Sequence, residues 1–419
     1  MIKNVKIWIG VTFLIGLALQ IYLASNYWVG GDQLHLLKIG SKFATELQLT
    51  GFGKLTGGGG SNIGSLLELF VGAPLLIFEN FRSPMILIVF FSIIAYLIIA
   101  KVINQIWGYN GVLYLTIIYW LSPVRIYNSG FLWEPAFIFI FSAMHFIASY
   151  NLNNEKSFKY SILLIISIFF SIQIHNSGII LFLTTFFLMY KKQIKLNYKG
   201  VLIGSLVVII SFIPTIITLI YNKLPVESQQ SSGYLFYGLV NIIPVLKGLL
   251  YSLKMGGFDI VRQIKEVSYS FYGNQLISSS LQILSILTVI ISIYASFYLY
   301  RSLIWKKFKF EHDIRNEKEK WIQLYAFCTS LSVIFSSALS PITLQGWMLV
   351  IALPALMLPM LYLLVKNSSK YLNLFLITYT LIQILAIIYI GEGKDTFNRS
   401  QILPKGIDNN NYPDLIKLF

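Results

Sequence analysis

Apolar residues in this chain are gathered into successive blocks of roughly 17 to 25, the length a helix needs to cross the hydrocarbon core of a bilayer. No other feature restricts the fold as strongly. A segment immersed in lipid has no water to satisfy its backbone N–H and C=O groups, so it must satisfy them internally as a helix. Composition agrees. Of 419 residues, 12% are charged and 56% are hydrophobic, with a mean hydropathy of +0.71. Soluble domains carry about 25% charged residues, so an ordinary globular enzyme is excluded. The 16% of aromatic residues excludes a disordered chain. A single cysteine, Cys328, allows no internal disulfide and no cysteine metal cluster.

Reading apolar blocks against charge gives eleven expected spans. They lie near Ile7–Ala24, Met85–Ala100, Tyr109–Pro123, Phe131–Tyr150, Tyr160–Ile174 and Gly178–Tyr190. The others lie near Val201–Tyr221, Leu276–Tyr300, Trp321–Ala338, Leu344–Val365 and Tyr371–Ile390. The amino-terminal block could end in a signal-peptide cleavage site at Leu23-Ala24-Ser25, but its length favours an uncleaved span.

Orientation follows from lysine and arginine. With the amino terminus cytoplasmic, the inner segments are 1–6, 101–108, 151–159, 191–199, 301–320 and 366–370. These 57 residues hold 18 of the 32 basic side chains. That is the positive-inside bias, and anionic lipid accounts for the net charge of +15 without nucleic acid. Two further apolar stretches, Ile63–Phe78 with Glu68 and Tyr234–Leu253 with Asn241, Pro244 and Lys247, would invert the scheme if counted as spans. They are read instead as helices on the outer membrane face. The fold class is thus an all-α polytopic membrane protein of about eleven helices. It forms one membrane domain over 1–419, with interfacial helices in a first outer loop 25–83, a second outer segment 222–275 and an outer tail 391–419. No internal repeat is visible.

Candidate chemistry collects on the outer face. Asp32 follows the first span after two glycines, at the start of a stretch whose Leu34, Leu37, Ile39, Phe43, Ala44 and Leu47 keep helical spacing. It reads either as a helix-capping carboxylate or as a general base. LTGFGKLTGGGGSNIG at 49–64 holds four consecutive glycines and Lys54. It reads as a hinge, a linker or a backbone that approaches a ligand, and it lacks the GK[ST] of a Walker loop. The turn LSPVRIYNSGFLWEP at 121–135 sets Arg125, Tyr127, Asn128 and Glu134 at one membrane depth. Each has a bland reading, a snorkelling arginine and a carboxylate that complements a helix start. Charges at such depths also mark sites and pathways. His175 lies in IQIHNSG at an outer junction between spans. His145 falls within a span, as a buried polar contact. Asp259, Arg262, Lys265 and Glu266 read as a solvated helix face, and Arg399 reads as a surface charge that could reach an anionic substrate. No HExxH or similar metal spacing occurs.

Asp32 after the first span, SPVRIYNSGFLWEP and IQIHNSG together resemble the polytopic glycosyltransferases of the GT-C superfamily. The resemblance is particularly to bacterial relatives of the protein O-mannosyltransferases and to the aminoarabinose transferase of lipid A. It covers about the first 200 residues. It implies a polyprenyl-phosphate sugar as donor, and transfer on the periplasmic face of a bacterial plasma (inner) membrane to a glycan, lipid or protein acceptor. It also implies that an acidic residue of the first outer loop activates the acceptor, a role that maps onto Asp32. The chain departs from the family pattern in two places. Gln33 stands where many relatives have a second acidic residue, and Glu134 stands where asparagine is frequent. The base therefore stays open between Asp32, Glu68 and Glu134. Arg125, Arg399, Lys38 and Lys54 are candidate cations for the leaving phosphate, with Tyr127, Asn128 and His175 as further substrate contacts. No cofactor is expected, with a divalent ion at Asp32 as the open alternative. The rival readings are an O-antigen polymerase or ligase, and a lipid or glycan transporter without chemistry.

Overall fold

The computed structural model describes residues 4–27, 29–55, 61–221, 242–270, 275–304, 317–340, 345–367, 371–399 and 418. Helices dominate them. The chain enters with α1 (Val5–Ser25), α2 (Gly31–Glu46), a short antiparallel hairpin of β1 (Phe52–Leu55) and β2 (Ser61–Ile63), and α3 (Leu66–Ile77). There follow α4 (Ser83–Leu115), a π-helical stretch Thr116–Trp120, α5 (Pro123–Asn128), a 3-10 turn Glu134–Phe137 and α6 (Phe139–Asn154). Next come α7 (Phe158–Ile174), α8 (Ile179–Tyr190), α9 (Tyr198–Ser211) and α10 (Ile213–Tyr221). Helices Ile242–Lys254, Val261–Ser270, Gln275–Ile304 and Glu317–Leu339, a 3-10 stretch Gly346–Ala352, and helices Leu353–Leu356, Leu358–Lys366 and Leu372–Arg399 follow.

The protein is a multi-pass membrane protein. Among the described residues seven helices are long and apolar enough to cross a membrane, or eight if the bent pair α9–α10 is one span. The eleven expected segments each coincide with a helix or helix pair, so the smaller number reflects length rather than order. The α7 segment Phe158–Ile174 and the segment Asn176–Tyr190 are helical but fall below full spanning length. Ser83–Trp120 is continuous in hydropathy but not in direction. At Gly108 the backbone takes φ 65° and ψ −164°, a region essentially reserved for glycine. The chain folds back there, because the Tyr96 hydroxyl lies 2.7 Å from that of Thr116, twenty residues on. A straight helix would hold those residues about 30 Å apart.

Burial ranks the helices. The windows within Glu134–Asn154 and Gly346–Lys366 are 89% buried, whereas those of α1 and Gln275–Arg301 are 33% and 28% buried. The first pair forms the centre, and the others turn Ile, Leu and Phe side chains outward where lipid would lie. Centre and periphery share one apolar core, in which Phe137, Phe139, Leu349 and Leu353 are fully enclosed.

The described parts of all six segments read as inner meet at one end of the bundle. Lys6 sits 4.6 Å over the Tyr109 ring, and Lys318 donates to the Gln105 carbonyl at 3.2 Å. Glu319 accepts from the Trp107 indole at 3.0 Å and pairs with Lys366 at 2.8 Å. The Lys195 amide donates to the Leu152 carbonyl at 2.9 Å. The opposite end, here the loop end, carries α2, the hairpin, α3, α5 and the junction at His175.

Both stretches read as outer-face helices are helical where described. The α3 helix packs along α2, and Ile242–Lys254 lies along Glu317–Leu339. The latter buries Pro244, Gly248 and Ser252 and leaves Ile242, Ile243, Leu246, Leu249 and Leu250 exposed. The four consecutive glycines 57–60 lie outside the described residues, as do 400–417 of the tail.

Candidate functional site

The π-helical stretch ends α4's return limb, and Pro123 at the first turn of α5 suits a helix start. This local geometry leaves the Trp120 carbonyl unclaimed by the helix, and Arg125 takes it. Its Nε and Nη2 donate to that carbonyl at 2.9 and 2.6 Å, and its Nη1 donates to Gln20 Oε1 of α1 at 2.8 Å. The guanidinium also stacks on the Trp120 ring, 4.0 Å from its centroid. Arg125 is fully buried. Burial pushes its pKa down to about 9, which leaves it a cation at neutral pH. No carboxylate pairs with it among the described residues. It is a clamp between α1 and the turn, set behind the surface the turn presents.

That surface is aromatic. Asn128 donates to the Val124 carbonyl at 2.6 Å and accepts the Trp133 indole N–H on its own carbonyl at 2.6 Å. Rings then follow one another from Tyr127 to Phe131 at 5.4 Å, to Trp133 at 4.5 Å, to Trp347 at 5.6 Å and to His175 at 5.6 Å. His175 Nδ1 accepts the Ser177 amide at 3.1 Å, so a neutral ring carries its proton on Nε2.

Beside this row lies a cavity of ≈ 260 Å³ at the loop end. Tyr127, Asn128, Trp133 and Trp347 line one side, and Tyr251, Asp259 and Arg262 the other. Asp259 is held by an ion pair with Lys254, whose ammonium lies 4.2 Å over the Tyr251 ring. Asp259 and Arg262 were expected on a solvated face; Arg262 is exposed as expected, and the fold also brings both residues to a cavity wall. The cause is the segment Lys254–Ile260, which turns inward against Gln275–Ile304, where the Ser285 hydroxyl donates to the Phe258 carbonyl at 2.6 Å. Sequence reasoning did not find Trp347 or Tyr251. The GG at 256–257 beside two charges was the available signal.

The proposed bases separate. Asp32 is exposed in the first turn of α2, where Gly30 caps the helix and donates to Gln33 Oε1 at 3.0 Å. It is not among the residues that line the cavity. The chain's Gln33 thus has a local role in the helix start. Glu134 is buried and opens the 3-10 turn. Glu68 is buried and binds the hairpin, accepting from the amides of Thr50 and Gly51 at 2.9 and 3.3 Å and from the Thr50 hydroxyl. Burial raises its pKa, and the hydrogen bonds oppose that only in part. From the other side, Thr215 and Thr218 of α10 donate to the Gly51 and Thr50 carbonyls at 2.7 and 2.6 Å. Gly51, at φ 77°, lies so close to the Thr215 backbone that any side chain would collide. His145 bridges Tyr325 and Thr185, both at 2.8 Å, inside the bundle. The side chains of Lys54 and Arg399 lie outside the described residues. Lys38 is exposed on α2. Among the described residues no three His, Cys, Asp or Glu side chains come together as a metal site.

No family model matches this chain, and neither does any curated protein. Among solved structures it is similar to ArnT from Cupriavidus metallidurans bound to undecaprenyl phosphate. The TM-score is 0.57 at 8% identity, over 99% of this chain and 84% of that one. It is also similar to ArnT from the same organism in the apo state, with a TM-score of 0.53 at 10% identity, over 94% and 76%. The chain therefore resembles ArnT in its polytopic helical fold, including the later spans that carried no sequence resemblance.

Proposed function

We propose that this chain is a membrane glycosyltransferase that moves a sugar from a polyprenyl-phosphate donor to a cell-envelope acceptor. The observation that carries the reading is the loop-end cavity, where Trp133, Trp347 and Tyr127 face Arg262 and Asp259 in a fold shared with a protein that binds undecaprenyl phosphate. Ligand sites are mostly apolar and aromatic, with a few convergent polar groups, and this cavity has that make-up. The loop end would face the periplasm of a bacterial plasma membrane, with the basic end in the cytoplasm, as the lysine and arginine bias implies.

In the proposed reaction the acceptor hydroxyl oxygen attacks the anomeric carbon. The bond from that carbon to the phosphate oxygen breaks, and the phosphate leaves with the electron pair. A base takes the hydroxyl proton. Arg262 is the proposed cation for the leaving phosphate, since a guanidinium can bind two of its oxygens at once. Asp32, exposed at the start of α2, is the proposed base. Glu68 and Glu134, each buried, are the alternatives, and Asp259 positions the wall through Lys254.

The test is turnover of extracted polyprenyl-phosphate sugars by purified wild type and by Asp32→Asn, Glu68→Gln and Glu134→Gln at matched expression. Loss of a general base costs about 10²–10⁴ in rate. A loss of that size in Asp32→Asn alone supports the assignment, and the same loss in another variant moves the base to that residue. No turnover by wild type with native lipids and acceptors present would overturn the transferase reading.

A further inference from the structure

Among the described residues that line the loop-end cavity, Asp259 carries the one carboxylate. That carboxylate is already engaged. Its Oδ2 accepts from Lys254 Nζ, and the side chains of the pair are 29% and 15% exposed. On its other side Lys254 rests 4.2 Å over the Tyr251 ring. An ion pair enclosed in this way presents no net charge to a ligand. A protonated amine on a bound sugar would give up its water to a wall that holds no uncompensated carboxylate, a desolvation cost with no Coulombic return. Arg262, the further charge on the wall, is a cation and repels an ammonium as well.

The polar atoms of the walls suit hydroxyl groups instead. Asn128 is 6% exposed, and its Nδ2 donates to the Val124 carbonyl at 2.6 Å. A carbonyl can only accept, so this bond orients the amide. It leaves Oδ1 as an acceptor with no partner among the described residues. Asp259 Oδ1 is likewise unengaged among them, since Lys254 takes only Oδ2. Gln263 and Gln345 add side-chain amides, which donate and accept at once, as a sugar hydroxyl does.

The aromatic walls suit the ring itself. Trp133 and Trp347 stand 5.6 Å apart at 50° to one another, so they form a cleft rather than a flat wall. Trp133 is fixed there by its indole N–H, which donates to the Asn128 carbonyl at 2.6 Å. The C–H faces of a pyranose are apolar and pack on such rings by dispersion.

Resting on the transferase reading, we propose that this cavity selects an uncharged sugar over an amino sugar. Trp133 and Trp347 take the C–H face of the ring, and Asn128 Oδ1, Asp259 Oδ1 and Gln345 take its hydroxyls. Lys254 is the specificity-determining residue, because it cancels the carboxylate that an ammonium would seek.

The experiment titrates the purified full chain in detergent with polyprenyl phosphates carrying glucose, glucosamine or glucuronic acid. Mildly acidic pH keeps the amine protonated, and bound lipid is counted by native mass spectrometry. Wild type is compared with Lys254→Gln and with Lys247→Gln, an exposed lysine of the same helix outside the cavity walls. The ratio of two affinities is read within each variant, so a general loss of stability does not move it. Wild type should prefer the glucosyl lipid over the glucosaminyl lipid by about fivefold or more. Lys254→Gln frees the carboxylate and should shift that ratio about fivefold toward glucosamine, whereas Lys247→Gln should keep the wild-type ratio. Equal affinity for the two lipids, tighter binding of either charged sugar by wild type, or an unchanged ratio in Lys254→Gln would overturn the proposal and leave the transferase reading standing. Binding of no sugar lipid at all would overturn both.

Discussion

Arg125 donates to the side-chain oxygen of Gln20 at 2.8 Å, across 105 positions of sequence. The bond ties the carboxy-terminal half of α1 to the turn that presents Tyr127, Asn128 and Trp133 to the cavity. Arg125 also fills the Trp120 carbonyl twice and stacks on the Trp120 ring. A lysine ammonium has neither the fork nor the plane to reproduce this. Arg125→Lys is expected to lose stability by about 2–4 kcal/mol, because buried polar groups are left without partners. Gln20→Ala should cost less, about 1–2 kcal/mol. Thermal unfolding of the purified variants in detergent measures both, and a Lys variant as stable as wild type would remove the clamp.

Glu68 predicts a pH dependence. Its pKa in the folded chain is raised, chiefly by burial. Between its unfolded and folded pKa values the native state therefore binds more protons than the unfolded state. Stability from this group is present at low pH and is lost as pH rises through the raised folded value. Amide exchange at Thr50 and Gly51, whose N–H groups Glu68 accepts, should quicken over that window. In Glu68→Gln the dependence should vanish.

At the basic end, Glu319 joins three elements by accepting from Trp107 and pairing with Lys366. Glu319→Ala strands the Trp107 N–H and should cost about 1–3 kcal/mol. Glu319→Gln keeps an acceptor for the indole and loses only the pairing with Lys366. That side chain is 39% exposed, so the loss should stay below about 1 kcal/mol. Melting curves for the two variants separate the hydrogen bond from the charge.

Much of this architecture is legible in the sequence, and the exceptions have physical causes. Apolar blocks and basic loops locate the helices and sort them between two ends, since lipid and anionic headgroups impose those patterns directly. Asp32 near the start of α2 follows from helical spacing, and α3 as a helix outside the count of spans follows from the bias of the basic loops. The cavity is different. Trp347 lies 214 positions from Trp133, and an aromatic residue opening a span looks like any interface anchor. Asp259 looks fully solvated because nothing local shows that the Lys254–Ile260 segment turns inward, and exposed Arg262 gives no local sign that it borders a cavity. The burial of Arg125 is equally silent in sequence, because its partners are a carbonyl freed by a π-helical turn and an amide on another helix.

The reversal at Gly108 gives a further test. The backbone there is closed to other residues, although no atom obstructs a Cβ. Gly108→Ala should therefore cost about 1–3 kcal/mol through backbone strain alone. Cysteines placed at 96 and 116 should be joined by a short thiol-reactive cross-linker in an otherwise unchanged chain. Capture should be weaker in the Gly108→Ala background. No capture in either would contradict the fold-back.

The cavity between Trp347 and Arg262 is the proposed seat of a polyprenyl-phosphate sugar. Its most direct test is consumption of that lipid by purified wild type, Trp347→Ala and Arg262→Gln, with melting temperatures shown to match. Wild type should consume it, with a drop of about tenfold or more in each variant, the loss expected when a phosphate-directed cation or a donor-positioning ring is removed. Equal consumption by all three would contradict it.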